Sequence, residues 1–390
     1  MNSLIAAGLI ALGALALPQH LVAETGAEDA RTPAKELEQD TQLDRMIGQM
    51  ILVGFPGRGE RDAGVVAVRD QLAKGVVGGV VLFPENIVSP GQLKSLTAYL
   101  RNTKSDPTPF IAVDQEGGLV QRLTRRTGHT DFPSANSVAT NPSYSAQESV
   151  NRLYDAMAAE LAEAGFNFNL APVIDLHLNP ANPVIGARKR SFGSDPKRVT
   201  DFARAFIEAH RRANVVTAAK HFPGHGSSFA DSHQTFTDIS KSWREIELEP
   251  YRVLAQEGLL DMVMVGHLYH PRFSDGEKLP ASLSARAVRS LRDPHWLAFN
   301  GVVISDDMEM GAVQNYAREE RIIKAINAGI DLIVFSNVIE SDPELGVEIH
   351  EIIANAVRQG RISRDRIERA YGKIMLLKRR LMQKDLSGKW

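Results

Sequence analysis

The chain of 390 residues contains no cysteine. This absence excludes disulfide bonds, thiolate metal sites and thiol nucleophiles, and it leaves the redox compartment open. Long basic runs are also missing, and the formal net charge is only -2. This balance argues against nucleic acid or an anionic membrane surface as the main partner. With 43% hydrophobic residues, the chain has the composition of a globular protein with a large buried core.

The longest apolar run, Leu4 to Leu17, is shorter than the roughly 20 residues that span a bilayer. Its length is typical of the core of a signal peptide, although no Lys or Arg precedes it. We therefore expect residues 1–23 to be a signal peptide and the protein to be periplasmic or secreted. The alternative is an unstructured extension on a cytoplasmic protein. The small and charged residues 24–36 predict a linker.

From residue 40 onward, short β-branched apolar runs alternate with longer segments of helical periodicity. The predicted strands are 50–55, 78–83, 109–114, 166–175, 215–221, 261–267, 301–307 and 330–336, and the clearest helices are 146–164, 196–213, 318–328, 345–359 and 363–382. This alternation predicts βα units around a parallel sheet. Without a Pro/Gly/Ser-rich break, the pattern predicts a single (β/α)8 TIM barrel over residues 37–385. An open doubly wound sheet is the alternative.

Polar side chains stand at the ends of most predicted strands, where barrel enzymes place their chemistry. They are Asp114, Asp175, Lys220, His221, His267, Asp306, Asp307, Ser336 and Asn337. Asp306 is the first charge after its strand, and either Asp306 or Asp307 could instead cap the next helix. Asp114 begins a segment, DQEGG, that favours either a ligand contact or a tight turn. For Asp175 a helix cap, and for His267 a satisfied core histidine, are at least as good interpretations as direct contact with a ligand.

The stretch KHFPGHGSSFADSH, residues 220–233, concentrates three histidines on a loop rich in glycine and serine. His221, His225, Asp231 and His233 could be metal ligands, but their spacing matches no helical ligand pair. Alternatively, Asp231 and His233 form a dyad, because a carboxylate beside an imidazole fixes its tautomer and favours proton exchange near neutral pH. A solvated loop with incidental polar residues is the third interpretation.

Four segments carry a resemblance to a known family: VDQEGGLVQR (113–122), FNFNLAPVIDL (166–176), KHFPGHGSSFADSH (220–233) and SDDMEM (305–310). Together they resemble glycoside hydrolase family 3, and within it the single-domain β-N-acetylglucosaminidases of cell-wall recycling. The resemblance implies a TIM barrel and a retaining exo-β-N-acetylglucosaminidase without cofactor or metal. Its implied substrate is terminal non-reducing N-acetylglucosamine on peptidoglycan fragments or chitin oligosaccharides.

The resemblance also implies roles for individual residues. Asp306 matches the nucleophile that forms a covalent glycosyl-enzyme, and His233 matches the acid/base, with Asp231 as its partner. The residues that match sugar-binding positions are Asp114, Arg122, Lys220 and His221. Since His233 lies on a loop, we expect that loop to act as a lid.

One sugar-binding arginine is ambiguous, because the segment IGARKRSFG is two residues longer than the family pattern. Arg190 is our choice because, as in the family pattern, it is followed directly by Ser and Phe. Arg188 instead has the same spacing from Gly186 as the arginine of the family pattern. Leu119 is a second departure, at a position where relatives usually carry arginine.

Three other functions stay open at this point. An N-acetylglucosaminide phosphorylase could use the same site, because a neutral imidazole does not repel phosphate. A metal-dependent hydrolase could use the His/Asp cluster, and a barrel without turnover could bind glycans or muropeptides. In each case we expect a monomer whose partner is a small glycan, with no nucleic acid and no stable membrane span.

Overall fold

The computed structural model describes residues 33–103 and 107–387. The expected signal peptide lies outside these residues, as does the expected linker up to residue 32. Contacts divide the chain into Met1–Gln39 and the compact unit Asp40–Trp390. Everything described below about the barrel belongs to the second unit. Within the described residues, no helix combines the length and apolar character that crossing a membrane requires.

Eight parallel strands form a closed barrel, in which each strand pairs with its neighbours in sequence and the last pairs with the first. The strands are β1 (Ile51–Val53), β2 (Gly79–Leu82), β3 (Phe110–Val113), β4 (Phe168–Asn169), β5 (Val216–Phe222), β6 (Met262–Val265), β7 (Val302–Asp307) and β8 (Leu332–Phe335). The prediction of a TIM barrel is confirmed, and the open doubly wound sheet is wrong.

Helices precede and follow the strands along the chain, as the crossover connections of a parallel sheet require. They are α1 (Pro33–Gln49), α2 (Ala63–Lys74), α3 (Pro90–Arg101), α4 (Ala135–Thr140), α5 (Gln147–Glu163), α6 (Pro196–Arg212), α7 (Glu249–Gln256), α8 (Ala285–Arg292), α9 (Arg318–Ala328), α10 (Leu345–Arg358) and α11 (Arg364–Ser387). Local sequence sets their ends: Asp195 accepts a hydrogen bond from Lys197 N before Pro196 opens α6.

Strand β4 is much shorter than the predicted run 166–175. Only Phe168 and Asn169 belong to the ladder, and Val173 pairs with Lys220 as an isolated bridge. Pro172 lies between them and has no N–H to donate to a neighbouring strand. The apolar residues of the predicted run are therefore buried, as expected for a barrel strand. The second half of the run, however, lies beside β5 without forming a regular strand.

A second, two-stranded parallel sheet lies outside the barrel. It pairs Thr237–Asp238 with Leu268–Tyr269. The first of these strands follows the loop that carries Asp231 and His233, and the second follows β6. This small sheet therefore ties the end of the loop to the rim of the barrel. The sequence pattern had not indicated it.

Candidate active site

A cavity of about 270 Å³ lies at the carboxyl ends of the barrel strands. It brings together seven of the predicted site residues, namely Asp114, Arg122, Arg190, Lys220, His221, His233 and Asp306. Asp231 is the one predicted residue that does not line it, and it contacts His233 instead. Arg188, Asp307 and several apolar side chains, including Leu119, Met310 and Val338, complete the lining.

Irregular pairing at two strand ends brings consecutive polar residues into this cavity. The register between β5 and β6 shifts between Ala219 and Phe222. The register between β7 and β8 shifts between Ile304 and Asp307. In a regular strand, neighbouring side chains point to opposite faces, whereas a bulge redirects one of them. Lys220 with His221, and Asp306 with Asp307, therefore line the same cavity.

Asp306 lies at the end of β7 and is held as a carboxylate. Burial alone would raise its pKa, but the imidazoles of His221, His267 and His233 and the backbone N–H of Asp307 lower that pKa to about 2. The N–H of Asp307 donates to Asp306 Oδ1 at 2.9 Å. A carboxylate that stays ionised near neutral pH, on a rigid strand and facing a cavity, has the properties of a nucleophile.

Asp307 has a different environment and a structural role. Its Oδ1 accepts hydrogen bonds from the backbone N–H groups of Glu309, at 3.1 Å, and Ser336, at 3.0 Å. Burial raises its pKa to about 6. Asp307 therefore closes the turn after β7 and joins it to the end of β8, which is close to the predicted capping role for one of the two aspartates.

The predicted dyad is present on the loop after β5. His233 Nδ1 lies 2.7 Å from Asp231 Oδ1, and the same oxygen accepts from the backbone N–H of His233 at 2.9 Å. Burial raises the pKa of Asp231, but the hydrogen bonds and charge of His233 and the charge of Arg188 lower it below its usual value. Since a carboxylate only accepts, Nδ1 carries a proton, and Nε2 is left to exchange one with a ligand.

The loop is attached to the segment that follows Asp306. The backbone carbonyl of His233 accepts from Gly311 N at 2.9 Å, and that of Ser232 accepts from Ala312 N at 3.1 Å. The side chain of His233 is about half exposed. The backbone of the loop is therefore fixed relative to β7 in this conformation, while the imidazole reaches the open cavity.

Two carboxylates and two cations form a buried network on the other side of the cavity. Lys220 Nζ lies 2.7 Å from Asp114 Oδ1 and 2.8 Å from Glu116 Oε1. Arg190 donates to both oxygens of Glu116, at 2.8 Å each. Burial alone would raise the pKa of Glu116, but Arg190 and Lys220 hold it well below its ordinary value. These paired charges present oriented polar groups at the buried end of the cavity, as recognition of sugar hydroxyls requires.

Arg190 and Arg188, the two candidates for the ambiguous arginine, have different environments. Arg190 is buried and forms the bidentate pair with Glu116, and it also lies 3.3 Å from His221 Nε2. Arg188 is exposed in the preceding turn and lines the mouth of the cavity. Arg190 is therefore the arginine that belongs to the buried network.

Asp175 orients His221 and is not a helix cap. Its Oδ2 lies 2.7 Å from His221 Nδ1, and its Oδ1 accepts from the backbone N–H of His225 at 2.7 Å. Because the Arg190 guanidinium only donates, His221 Nε2 accepts from it and Nδ1 donates to Asp175. Asp175 therefore fixes both the ring of His221 and the start of the loop.

His225 joins two serines within the loop. Its Nδ1 lies 2.7 Å from Ser228 Oγ and its Nε2 lies 2.9 Å from Ser232 Oγ. Burial lowers its pKa to about 4. Both ring nitrogens are thus engaged in holding the loop.

In the parts of the chain that the structure describes, no three histidine or carboxylate side chains converge as metal ligands would, so the geometry gives the metal hypothesis no support.

His267 proves to be a satisfied core histidine. Nε2 donates to the backbone carbonyl of Asp307 at 2.8 Å, and Nδ1 lies 2.6 Å from Ser282 Oγ. Burial lowers its pKa. His267 therefore supports the end of β7 from behind Asp306.

Sequence reasoning missed Glu116, although it is the centre of the buried network. One feature of the sequence could have indicated it: Glu116 lies two residues after Asp114, and in an extended segment such a spacing directs both carboxylates to the same side. The contact that defines its role joins Glu116 to Arg190, 74 residues further along the chain, so the local pattern alone could not identify its partner.

Comparisons with known proteins agree with the barrel fold and identify the family. Residues 42–377 match the Glycosyl hydrolase family 3 N terminal domain. The chain therefore belongs to glycosyl hydrolase family 3, as the resemblance predicted, and that family consists of glycoside hydrolases.

Individual relatives are moderately similar. The chain is 37% identical over 69% of its length to the beta-hexosaminidase of Tolumonas auensis, of which it covers 78%. It is 28% identical over 88% of its length to beta-hexosaminidase A of Pseudoalteromonas piscicida, of which it covers only 62%. A family 3 beta-N-acetylglucosaminidase from Paenibacillus superposes with a TM-score of 0.77 at 32% identity, covering 87% of this chain and 62% of that one.

Proposed function

We propose that the protein is a retaining exo-β-N-acetylglucosaminidase, with Asp306 as nucleophile and His233 as acid/base. The observation that carries this proposal is that the Asp306 carboxylate and the Asp231-bound imidazole of His233 face one cavity. Retaining glycosidases require a nucleophile and a proton donor on opposite sides of the scissile bond. The relatives named as hexosaminidases support the same class of substrate.

In the first step, Asp306 attacks the anomeric carbon while His233 Nε2 donates a proton to the departing oxygen. The Asp306 side chain suits this step because its pKa, about 2, keeps it ionised. In the second step, the neutral imidazole takes a proton from water, and that water displaces Asp306 from the sugar. Asp231 stabilises the imidazolium that donates the proton in the first step and forms again in the second.

The sugar itself would occupy the end of the cavity formed by the buried network. Asp114 and Lys220 provide an acceptor and a donor to neighbouring hydroxyl groups, and Arg122 lies 3.3 Å from Asp114. Arg190 and His221 belong to the same network and complete the binding set. We propose terminal N-acetylglucosamine on peptidoglycan fragments or chitin oligosaccharides as the natural substrate, in line with the hexosaminidase relatives.

The test is release of 4-nitrophenol from 4-nitrophenyl N-acetyl-β-D-glucosaminide, combined with NMR detection of the first anomer formed. We expect the β anomer from the wild-type enzyme, and loss of turnover in Asp306→Asn. Asp307→Asn is the matched control, since it removes the adjacent carboxylate and should retain far more activity. An α product, or near wild-type turnover by Asp306→Asn, would contradict the proposed mechanism.

A further inference from the structure

Arg188 differs from every other cation in the cavity. Four lining side chains are arginine or lysine, namely Arg122, Arg188, Arg190 and Lys220. Arg122 and Lys220 pair with Asp114, and Arg190 pairs with Glu116. The side chain of Arg188 has no ion pair or hydrogen bond with any described residue and is exposed at the mouth. Its charge is therefore available to a ligand.

The position of Arg188 relates it to one side of the substrate. Arg188 and His233 line the same cavity, and the charge of Arg188 helps to lower the pKa of Asp231, which contacts His233. In a retaining glycosidase the acid/base lies beside the leaving group. A group held by Arg188 would therefore belong to the leaving aglycone, or to an acceptor that takes its place.

The chemistry of arginine narrows the nature of that group. A guanidinium presents a planar fork of donors that matches a carboxylate or a phosphate, and it cannot lose its charge. The carboxylates that line the same cavity are Asp114, Asp306 and Asp307. Asp114 pairs with Arg122 and Lys220, and Arg188 forms an ion pair with none of the three. An anion on the leaving-group side would thus meet an unpaired cation.

We propose that Arg188 binds an anionic group on the leaving-group side of the substrate. Through this contact, Arg188 makes the enzyme prefer substrates or acceptors that carry such a group. This inference rests on the proposed function. The anion has two possible sources: a carboxylate carried by the aglycone, or free phosphate acting as acceptor. With phosphate, an oxygen of the anion forms a bond to the anomeric carbon as the bond to Asp306 breaks, giving the sugar 1-phosphate and the free carboxylate.

The experiment compares two disaccharides that differ only in charge. One is N-acetylglucosamine β-1,4-linked to N-acetylmuramic acid, and the other is its methyl ester, so the leaving oxygen is the same in both. kcat and KM are measured for the wild type, Arg188→Gln and Lys189→Gln. Lys189 is the matched control because it is the adjacent exposed cation and does not line the cavity.

We expect Arg188→Gln to lower the acid-to-ester ratio of kcat/KM by about tenfold, mostly through KM, since a charge-assisted contact is lost. Lys189→Gln should keep the wild-type ratio. In a second arm, inorganic phosphate is added and sugar 1-phosphate is measured. A loss of that product in Arg188→Gln, with an unchanged acid-to-ester ratio, would support the inference with phosphate as the anion.

Two outcomes would overturn the inference. One is an equal fall of kcat for acid and ester in Arg188→Gln, which would mean that Arg188 acts only through Asp231 and His233. The other is no effect of Arg188→Gln in either arm. The failure of the proposed function has a different signature, because the wild-type enzyme would then cleave neither disaccharide.

Discussion

A single oxygen of Asp231, Oδ1, lies 2.7 Å from the ring nitrogen Nδ1 of His233 and 2.9 Å from its backbone nitrogen. One carboxylate thereby fixes both the main chain and the ring of the same residue. In this geometry the side chains of Asp231 and His233, which are two residues apart, approach each other past Ser232. It leaves His233 Nε2 toward the cavity, where a leaving group would be protonated.

The loss caused by His233→Ala should depend on the leaving group. We expect kcat/KM to fall about 10²- to 10⁴-fold for chitobiose, which needs a proton on its departing oxygen. The fall should be smaller for the 4-nitrophenyl glycoside, because 4-nitrophenolate departs without one. His295→Ala is the control, since His295 is exposed and absent from the cavity lining. Equal losses on both substrates would argue against an acid/base role.

Removal of the Ser232 hydroxyl should weaken catalysis without changing its pH dependence. Ser232→Ala breaks the 2.9 Å contact with His225 Nε2 and loosens the residue next to His233. We expect kcat to fall several-fold, the effect of about one hydrogen bond. The pH profile between 5 and 9 should keep its shape, because His225, with a pKa of about 4, stays neutral there. A shifted profile would mean that His225 itself titrates during turnover.

Glu116→Gln should be costly for both stability and substrate binding. It leaves Arg190 and Lys220 buried beside a neutral partner, and breaking a buried ion pair costs about 3 to 5 kcal/mol. Urea unfolding gives the change in free energy, and KM for the 4-nitrophenyl glycoside should rise. Glu148→Gln is the control, because its pair with Arg152 is exposed and such pairs contribute less than about 1 kcal/mol. A matching small change in both variants would contradict the proposed importance of the network.

Glu247 should make the protein less stable at high pH. Its side chain is buried. It packs closely against Gly224, in the loop that follows β5. Burial raises its pKa from 4.5 to about 7. Because the folded state favours the protonated form, this contribution is complete below pH 4.5 and is lost as the pH rises through 7.

Glu247→Gln should therefore gain stability relative to the wild type between pH 4 and pH 9. The expected difference in unfolding free energy is about 3 kcal/mol, since one pKa unit corresponds to about 1.4 kcal/mol. Glu245→Gln is the control, because Glu245 is exposed and Arg272 lowers its pKa instead. A constant difference between wild type and Glu247→Gln across this pH range would show that folding does not raise the pKa of Glu247.

The barrel could be predicted from the sequence because each strand is a short, doubly buried apolar run. Asp306 could be predicted for the same reason, as the first charge beyond such a run. The bulges could not, because they depend on the register between strands that are distant in the chain. The choice between Arg188 and Arg190 also required the structure, since it is the remote carboxylate of Glu116 that separates the buried arginine from the exposed one.

The central claim is that Asp306 forms a covalent bond to the sugar. The most direct measurement is mass spectrometry of the enzyme after reaction with 2-acetamido-2-deoxy-5-fluoro-β-glucosyl fluoride, whose glycosyl-enzyme should break down slowly. We predict a mass increase of one fluorosugar that peptide mapping assigns to Asp306 and that Asp306→Asn lacks. An adduct on a different residue, or turnover of this reagent with no adduct at any time, would contradict the account.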